Sequence, residues 1–381
     1  MRTGRVVAPW GDPVGKVRVL GVPLEERQDR TLHALGLRVA ATVDASERAS
    51  RVGTLLWDDD VDVTVAGLRA WLRAAGADGG EMIFLERPVR RGDLEAEPAG
   101  PVVGGEPTRR VGVRLGVADR AVCLPPRGFG GVAKAPGPWK TETPWWITAR
   151  SATTIHHWAH ALRANLAALP AALDAELIRR PWNVLSTWAR APLRAGFGRF
   201  ARVGRRCRIH PTARLEMCVL GDDVEVGAYS VLRACVVSDG AKVEDHVTAR
   251  GAILGPGAHL GNFGMFNLSV LGARSSISHI GGQACIVGDD SFVATFATLH
   301  DLNLRGNVRV PVDGRLVDTG SPFLGCAVGH RVRMGAGVVV ASGRAIPNDV
   351  TLVADAASIL ARVDAMQPGT YAVRDGRAVG V

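Results

Sequence analysis

At 381 residues the chain is long enough for two domains, each with its own core, and 46 glycines stand against only 5% aromatic residues. There is no run of about 18 apolar residues, so no membrane span is expected, and "MRTGRVVAPWGDP" lacks the apolar stretch of a signal peptide. The formal charge of +9 comes mostly from arginines that read as scattered, without a dense tract or interleaved aromatics. This points to a solvated surface rather than a nucleic-acid groove and leaves room for a pocket that takes a small anion.

Residues 1–142 read as a small α/β domain. "VRVLGVPLEERQDRTLHALGLRVAATVD" gives strand, helix and strand, and "GTLLWDDDVDVTVAGLRAWLRAAGADGGEMIFLE" repeats the rhythm, which predicts parallel strands. The Pro/Gly-rich "LEAEPAGPVVGGEPTRR" reads as a loop. A helical connector, 143–200, follows. Ile155, Trp158, Leu162 and Leu166 stand at helical spacing, and Pro170 is expected to interrupt that helix. His156, His157 and His160 lack a carboxylate or cysteine partner in sequence, so a metal set is not expected there.

A repeat dominates the second half. "EMCVLGDDVEV" (216–226), "RACVVSDGAKV" (233–243), "RGAILGPGAHL" (250–260) and "NLSVLGARSSI" (267–277) align without gaps at a period of 17. Each has a small residue third, an aliphatic pair, a turn and a closing aliphatic. Ile209, Leu215, Val226, Leu232, Val243, Ala249, Leu260, Phe266 and Ile277 recur in steps of 6 and 11. Val328, Met334, Val340, Ile346 and Leu352 resume the six-residue step. A period this short means stacked coils, each burying aliphatics that only the next coil covers. The expected domain is a parallel β-solenoid over 201–365, followed by a tail, 366–381. An irregular excursion at 292–325 is where such a solenoid would build a site. The six cysteines, Cys123, Cys207, Cys218, Cys235, Cys285 and Cys326, form no CxxC pair; most sit among small apolar residues and read as reduced core thiols of a cytoplasmic protein.

With a small α/β domain, a helical connector and a hexapeptide solenoid, the sequence resembles the sugar-1-phosphate nucleotidyltransferases with a C-terminal left-handed β-helix. These include the bifunctional N-acetylglucosamine-1-phosphate uridylyltransferase/glucosamine-1-phosphate acetyltransferases. The resemblance lies in "GNFGMFNLSVLGARSSISHIGG" (261–282) and "NLRGNVRVPVDGRLVDTGSPFLGCAVGHRVRMGAGVVV" (303–340), with "HHWAHALRANLAAL" and "RPW" similar to the connector. It covers the last 230 residues or so and hardly the first 140.

That resemblance implies acetyl transfer from acetyl-CoA or another acyl-CoA, with His279 as general base and Asn303 near the acyl group. Arg309 and His300 would face the acyl donor, and Asn262, Asn267 and Arg305 the substrate. His246, His259 and His330 read as surface residues of the coils. Gly282 replaces a tyrosine common in the family, and the lysine of its Gly-Asn-Phe coil is missing. These departures leave a small anionic acceptor, a sugar phosphate or nucleotide sugar, rather than a specified amino-sugar phosphate.

For the first half, the resemblance implies Lys16 on a nucleotide and Asp58, Asp59 and Asp60 on Mg²⁺ if the domain is active. Taken without the resemblance, the run of three acids reads as a solvated turn in preference to a metal site. The family's glycine loop, which cradles the triphosphate, has no counterpart in "VVAPWGDPVGKVRVLGVPLEERQ", so this domain reads as a shortened, degenerate nucleotidyltransferase-like unit. Three functions stay open: an acyltransferase in sugar metabolism, a nucleotidyltransferase making an NDP-sugar, and a non-catalytic scaffold. The resemblance further implies a homotrimer with shared sites, and neither nucleic acid nor membrane is expected as a partner.

Overall fold

The computed structural model describes residues 5–39, 55–85, 108–115, 120–123, 128–134, 142–148, 150–190, 201–279, 281–355, 371–375 and 377–380. The chain opens with a strap of short turns. Val6–Val7 pairs with Asp12–Pro13, a 3-10 turn covers Val14–Lys16, and Arg18–Val19 pairs with Val22–Pro23 before helix α1, Leu24–His33.

The sheet that follows corrects the parallel expectation. Leu55–Trp57 and Gly80–Leu85 do run in the same direction, but Thr108–Leu115 lies between them and pairs antiparallel with both. Three residues expected in a loop, Thr108, Arg109 and Arg110, open that central strand. Only Ala121–Cys123 adds a parallel edge to it. Helix α2, Val65–Ala75, is capped by Thr64 Oγ1 accepting the Gly67 N–H. It packs Trp71 against the sheet, the indole donating to the Val122 carbonyl at 3.0 Å. The strand expected after α1 falls largely on 40–54, outside the described residues.

Helix α3, Trp158–Leu173, runs through Pro170 instead of ending there and widens into a π-turn over Asp174–Ile178. Leu169, Leu173 and Leu177 are buried in one cluster on both sides of the proline, and this packing outweighs one lost helical hydrogen bond. The connector also holds strands before its helices: Glu142–Thr148, paired with Gly128–Lys134, and Ala152–Thr154, paired with Val61–Val63. Helix α4, Pro181–Arg190, completes it.

Parallel rungs then form a solenoid whose coils fit a left-handed β-helix. Its first face has eight strands from Ala201–Arg202 to Ala345–Ile346, and its second has eight from Arg208–Ile209 to Thr351–Leu352. The third has four, from Arg214–Glu216 to Met265–Asn267, then a break, then Thr298–Leu299 paired with Val339–Val340.

The repeat dictates this arrangement. The spaced apolar positions Leu215, Val226, Leu232, Val243, Ala249, Leu260, Phe266 and Ile277 all point into one core. The aliphatic pairs explain the first face. Leu220, Val237, Leu254 and Leu271 point inward, while their neighbours Val219, Val236, Ile253 and Val270 point outward into a second core shared with α3 and the strap. Two adjacent aliphatics mean a strand buried on both sides. Many corners use a residue in the left-handed region, such as Asp223, Tyr229, His246 and Phe263 at φ 57–58°. Cys218, Cys235, Cys285 and Cys326 are buried at the third corner as free thiols. The tail ends in a hairpin, Tyr371–Arg374 with Arg377–Gly380.

Candidate functional site

The coils are not all of one length: after the excursion they run to 18 residues, Ala327 pairing with Ala345, and one coil before it is shortened. Ile253 pairs with Val270 across 17 residues, but Val270 pairs with Ile286 across 16. Both the first and second faces keep full pairing through this coil, so the missing residue is absorbed at the second corner and third face. There no strand forms among the described residues, and only isolated bridges remain, Asn267 to Gln283 and Gly282 to Leu299.

His279 sits at that corner. Tyr229, His246 and Phe263 form a stack on the preceding coils, with ring centroids 5.1 Å apart and planes within 16°. His279 extends the column but is tilted, 45° from Phe263 and 47° from Phe296, at 6.1 and 6.3 Å. The shortened coil has re-aimed this imidazole. It is half-buried, and no hydrogen bond to its ring nitrogens is formed among the described residues. Glycines 281 and 282 leave the floor beside it bare. A Cβ on Gly281 would lie 2.1 Å from the Met265 carbonyl oxygen, so the coil admits no side chain there. Farther along the same stretch, where Asn267 pairs with Gln283, Asn267 Oδ1 is buried and accepts no hydrogen bond, an orphaned acceptor that calls for a ligand or water donor.

The other residues singled out in the solenoid lie at its corners. Asn262 is exposed on the second corner, its Oδ1 accepting the Asp245 N–H at 3.0 Å, one step of an Asx ladder that continues from Asp245 to the Ala228 N–H. His300, Asn303, Arg305 and Arg309 belong to the excursion from the third corner, a face away from His279. Asn303 donates to the Asn307 carbonyl and accepts the Arg305 N–H, so its amide closes the turn. His300, Arg305 and Arg309 are exposed. The Arg309–Val312 strand pairs with Arg315–Asp318, and Val310 anchors this hairpin in the second core.

In the first half, Asp60 is buried between Arg5 (3.3 Å) and His156 (3.2 Å), and Asp62 pairs with Arg27. Among the described residues no three His, Cys, Asp or Glu side chains group to hold a metal, and the partners of Asp60 do not fit Mg²⁺. The connector histidines have structural work. His156 Nε2 meets Asp60, His160 Nδ1 accepts the His156 N–H, and His157 caps α3 by accepting the Ala159 N–H. Burial pushes His157 down to about 4, against an opposing hydrogen bond to the Pro311 carbonyl.

A second concavity was not foreseen from the sequence. A cavity of about 360 Å³ lies between the strap and the first face, with Trp10 and Pro23 on one side and Ile253, Val270 and Ile286 on the other. Lys16 stands at it, salt-bridged to Glu25 on α1. Its cations are taken up by acids: Arg18 by Asp289 at 3.4 Å and Arg331 by Asp349 at 2.6 Å. His330, read as a surface residue, is half-buried here, with both ring nitrogens engaged. It is therefore not available as a base.

The chain matches no family model and no curated protein. Among solved structures it is similar to the acetyltransferase domain of PglB from Neisseria gonorrhoeae FA1090, 20% identical over 46% of this chain and 61% of that one, at a TM-score of 0.17. It is similar to WeeI from Acinetobacter baumannii AYE, 16% identical over 36% of this chain and 52% of that one, at 0.14. A Bacillus cereus gene product described as an acetyltransferase is 14% identical over 41% and 78%, at 0.17. The chain thus spans 61% and 52% of the first two. At these TM-scores the likeness adds nothing to what the coils themselves show.

Proposed function

We propose that the solenoid is an acyltransferase acting on a sugar phosphate or nucleotide sugar, with acetyl-CoA or a related acyl-CoA as donor. The observation that carries this is the sixteen-residue coil, which tilts His279 out of its stack beside a bare glycine floor, with the orphaned Asn267 Oδ1 at the far end of the same third-face stretch.

In this reading His279 accepts the proton of the acceptor's amine or hydroxyl as that group attacks the thioester carbonyl. The tetrahedral intermediate collapses, the carbon–sulfur bond breaks and the proton returns to the departing thiolate. Asn267 Oδ1 accepts a hydrogen bond from the acceptor and orients it. Asn303 acts by fixing the loop that presents Arg305 and Arg309, both suited to an anionic group on donor or acceptor. His300, on the same corner, lies toward the donor. Because His279 and the excursion occupy different corners, a homotrimer would supply the missing wall from a neighbouring copy.

The test is thiol release from acetyl-CoA across a panel of amino-sugar phosphates and nucleotide sugars, with His279→Ala beside wild type. Turnover lost in the variant supports the reading. No release with any acceptor overturns it and leaves a scaffold. The alternative of nucleotidyl transfer by the first half, with Lys16 on the phosphates, draws only on Lys16 standing at the strap cavity.

A further inference from the structure

The net charge of this chain is not spread along it. Between Glu176 and Glu216 there is no acidic residue, and ten arginines occur: Arg179, Arg180, Arg190, Arg194, Arg199, Arg202, Arg205, Arg206, Arg208 and Arg214. Setting those ten aside leaves 36 cations against 37 acids in the rest of the chain, a net of −1, so the whole excess of +9 resides in this tract. This overturns the reading of the arginines as scattered.

The same tract holds the most exposed tryptophan among the described residues. Trp182 is 76% exposed on the first turn of α4, with Leu185 at 45% on the same side and Ile178 at 63% just before the helix. Val184, pointing the other way, is buried at 5%. The helix is held by one side and presents an indole and aliphatics to the outside, flanked by Arg179 and Arg180. Those arginines do find acids. Arg179 pairs with Asp174, Arg180 and Arg202 with Glu176, Arg205 with Asp222, Arg206 with Asp223 and Arg208 with Glu225. Five carboxylates thus serve these six arginines, and exposed pairs of this kind are weak and readily exchanged.

We propose that the surface formed by Ile178, Trp182 and Leu185 with Arg179 and Arg180 docks on an anionic lipid bilayer. A tryptophan with aliphatic neighbours inserts at the headgroup level, while arginines meet the negative surface. A nucleic acid would use the arginines and the indole but gains nothing from exposed Ile178 and Leu185. No helix among the described residues is long and apolar enough to cross a membrane, so the contact is peripheral. It is independent of the acyltransferase reading and of His279.

The full chain should float with phosphatidylcholine vesicles containing phosphatidylserine and not with phosphatidylcholine alone, and raised salt should release it. Trp182→Ser with Leu185→Ser, and separately Arg179→Gln with Arg180→Gln, should each weaken partitioning at least tenfold while the melting temperature holds. Should either double variant fail to fold, Trp182→Phe retains the apolar surface and should lose part of the tryptophan quenching by brominated lipid. Absence of flotation, equal flotation with neutral vesicles, or partitioning and quenching indifferent to these substitutions overturns the proposal. So does displacement from the vesicles by a single-stranded oligonucleotide that still binds the Trp182/Leu185 variant with full affinity, which would mark a nucleic-acid surface instead.

Discussion

His330 donates from Nε2 to the Asp12 carboxylate at 3.1 Å, joining the strap at the start of the chain to a coil near its end. The tautomer follows from the other nitrogen, since Nδ1 accepts the Asp289 N–H at 2.7 Å. In this position His330 does what Asp239 does for the Asp222 N–H and Asp222 for the Arg205 N–H. An imidazole has replaced an aspartate in the corner ladder because it can reach outward with its second nitrogen.

His330→Ala is therefore expected to lose both contacts and leave the Asp289 N–H without its acceptor, costing about 1–3 kcal/mol. His330→Asp should restore the ladder but repel Asp12. Denaturant melts of the two variants check this, and protease sensitivity of the strap should rise in both.

His157 sets a pH dependence. Its folded value of about 4 lies below the ordinary histidine value of 6.5, so the unfolded chain binds the proton first. Its contribution is fully present above 6.5 and is lost as pH falls toward 4, by up to about 3 kcal/mol. His157→Asn keeps a side-chain acceptor at the cap but cannot titrate. The stability difference between wild type and variant should shift in favour of the variant across that window. Parallel curves would refute the assignment.

The sixteen-residue coil makes a sharper test of the site than deletion of the base. Inserting one residue between Ser278 and His279 restores the period of its neighbours. The solenoid should keep its melting temperature within a few degrees, while acyl transfer falls by about 10²–10⁴, the range of a lost general base. Full activity in the insertion variant would show that the tilt of His279 is irrelevant.

Gly272 offers a purely structural counterpart. A Cβ there would lie 2.4 Å from the Gly288 carbonyl carbon of the next coil. Gly272→Ala should destabilise by about 2–4 kcal/mol, because the obstacle is backbone. Thermal melts measure it directly.

Thiol chemistry reports on the core. Burial pushes Cys326 up to about 12 and raises Cys285 further, so both stay protonated and enclosed. A disulfide-exchange reagent should reach at most Cys123 and Cys207 in the native protein, and all six thiols after unfolding.

Much of the second half was legible because coil stacking is periodic, and periodicity survives in a single sequence. Leu215 or Val243 has one environment repeated, so spacing alone places it. The expectation failed where the determining contact is remote. Nothing local in "TLLWDDD" and "EMIFLE" says that Thr108–Leu115 will enter between them, and Pro170 stays helical because of leucines packed against the strap. His279 was picked out by resemblance, but the missing residue in its coil was countable from the repeat and marks the same place. Trp10 and Asp12 carried no signal, since their partners lie more than three hundred residues away.

That separation bears on how the chain is made. Trp10 donates to the Val328 carbonyl at 3.3 Å, and its own carbonyl accepts from Asn348. During synthesis the strap leaves the ribosome before the coils and gains these contacts only once nearly the last described coil exists, so the completion of its docking is a late, high-contact-order step. A chain stopped short of residue 327 would keep its first coils but expose the indole, giving quality-control machinery a marker of incompleteness far from the missing coils.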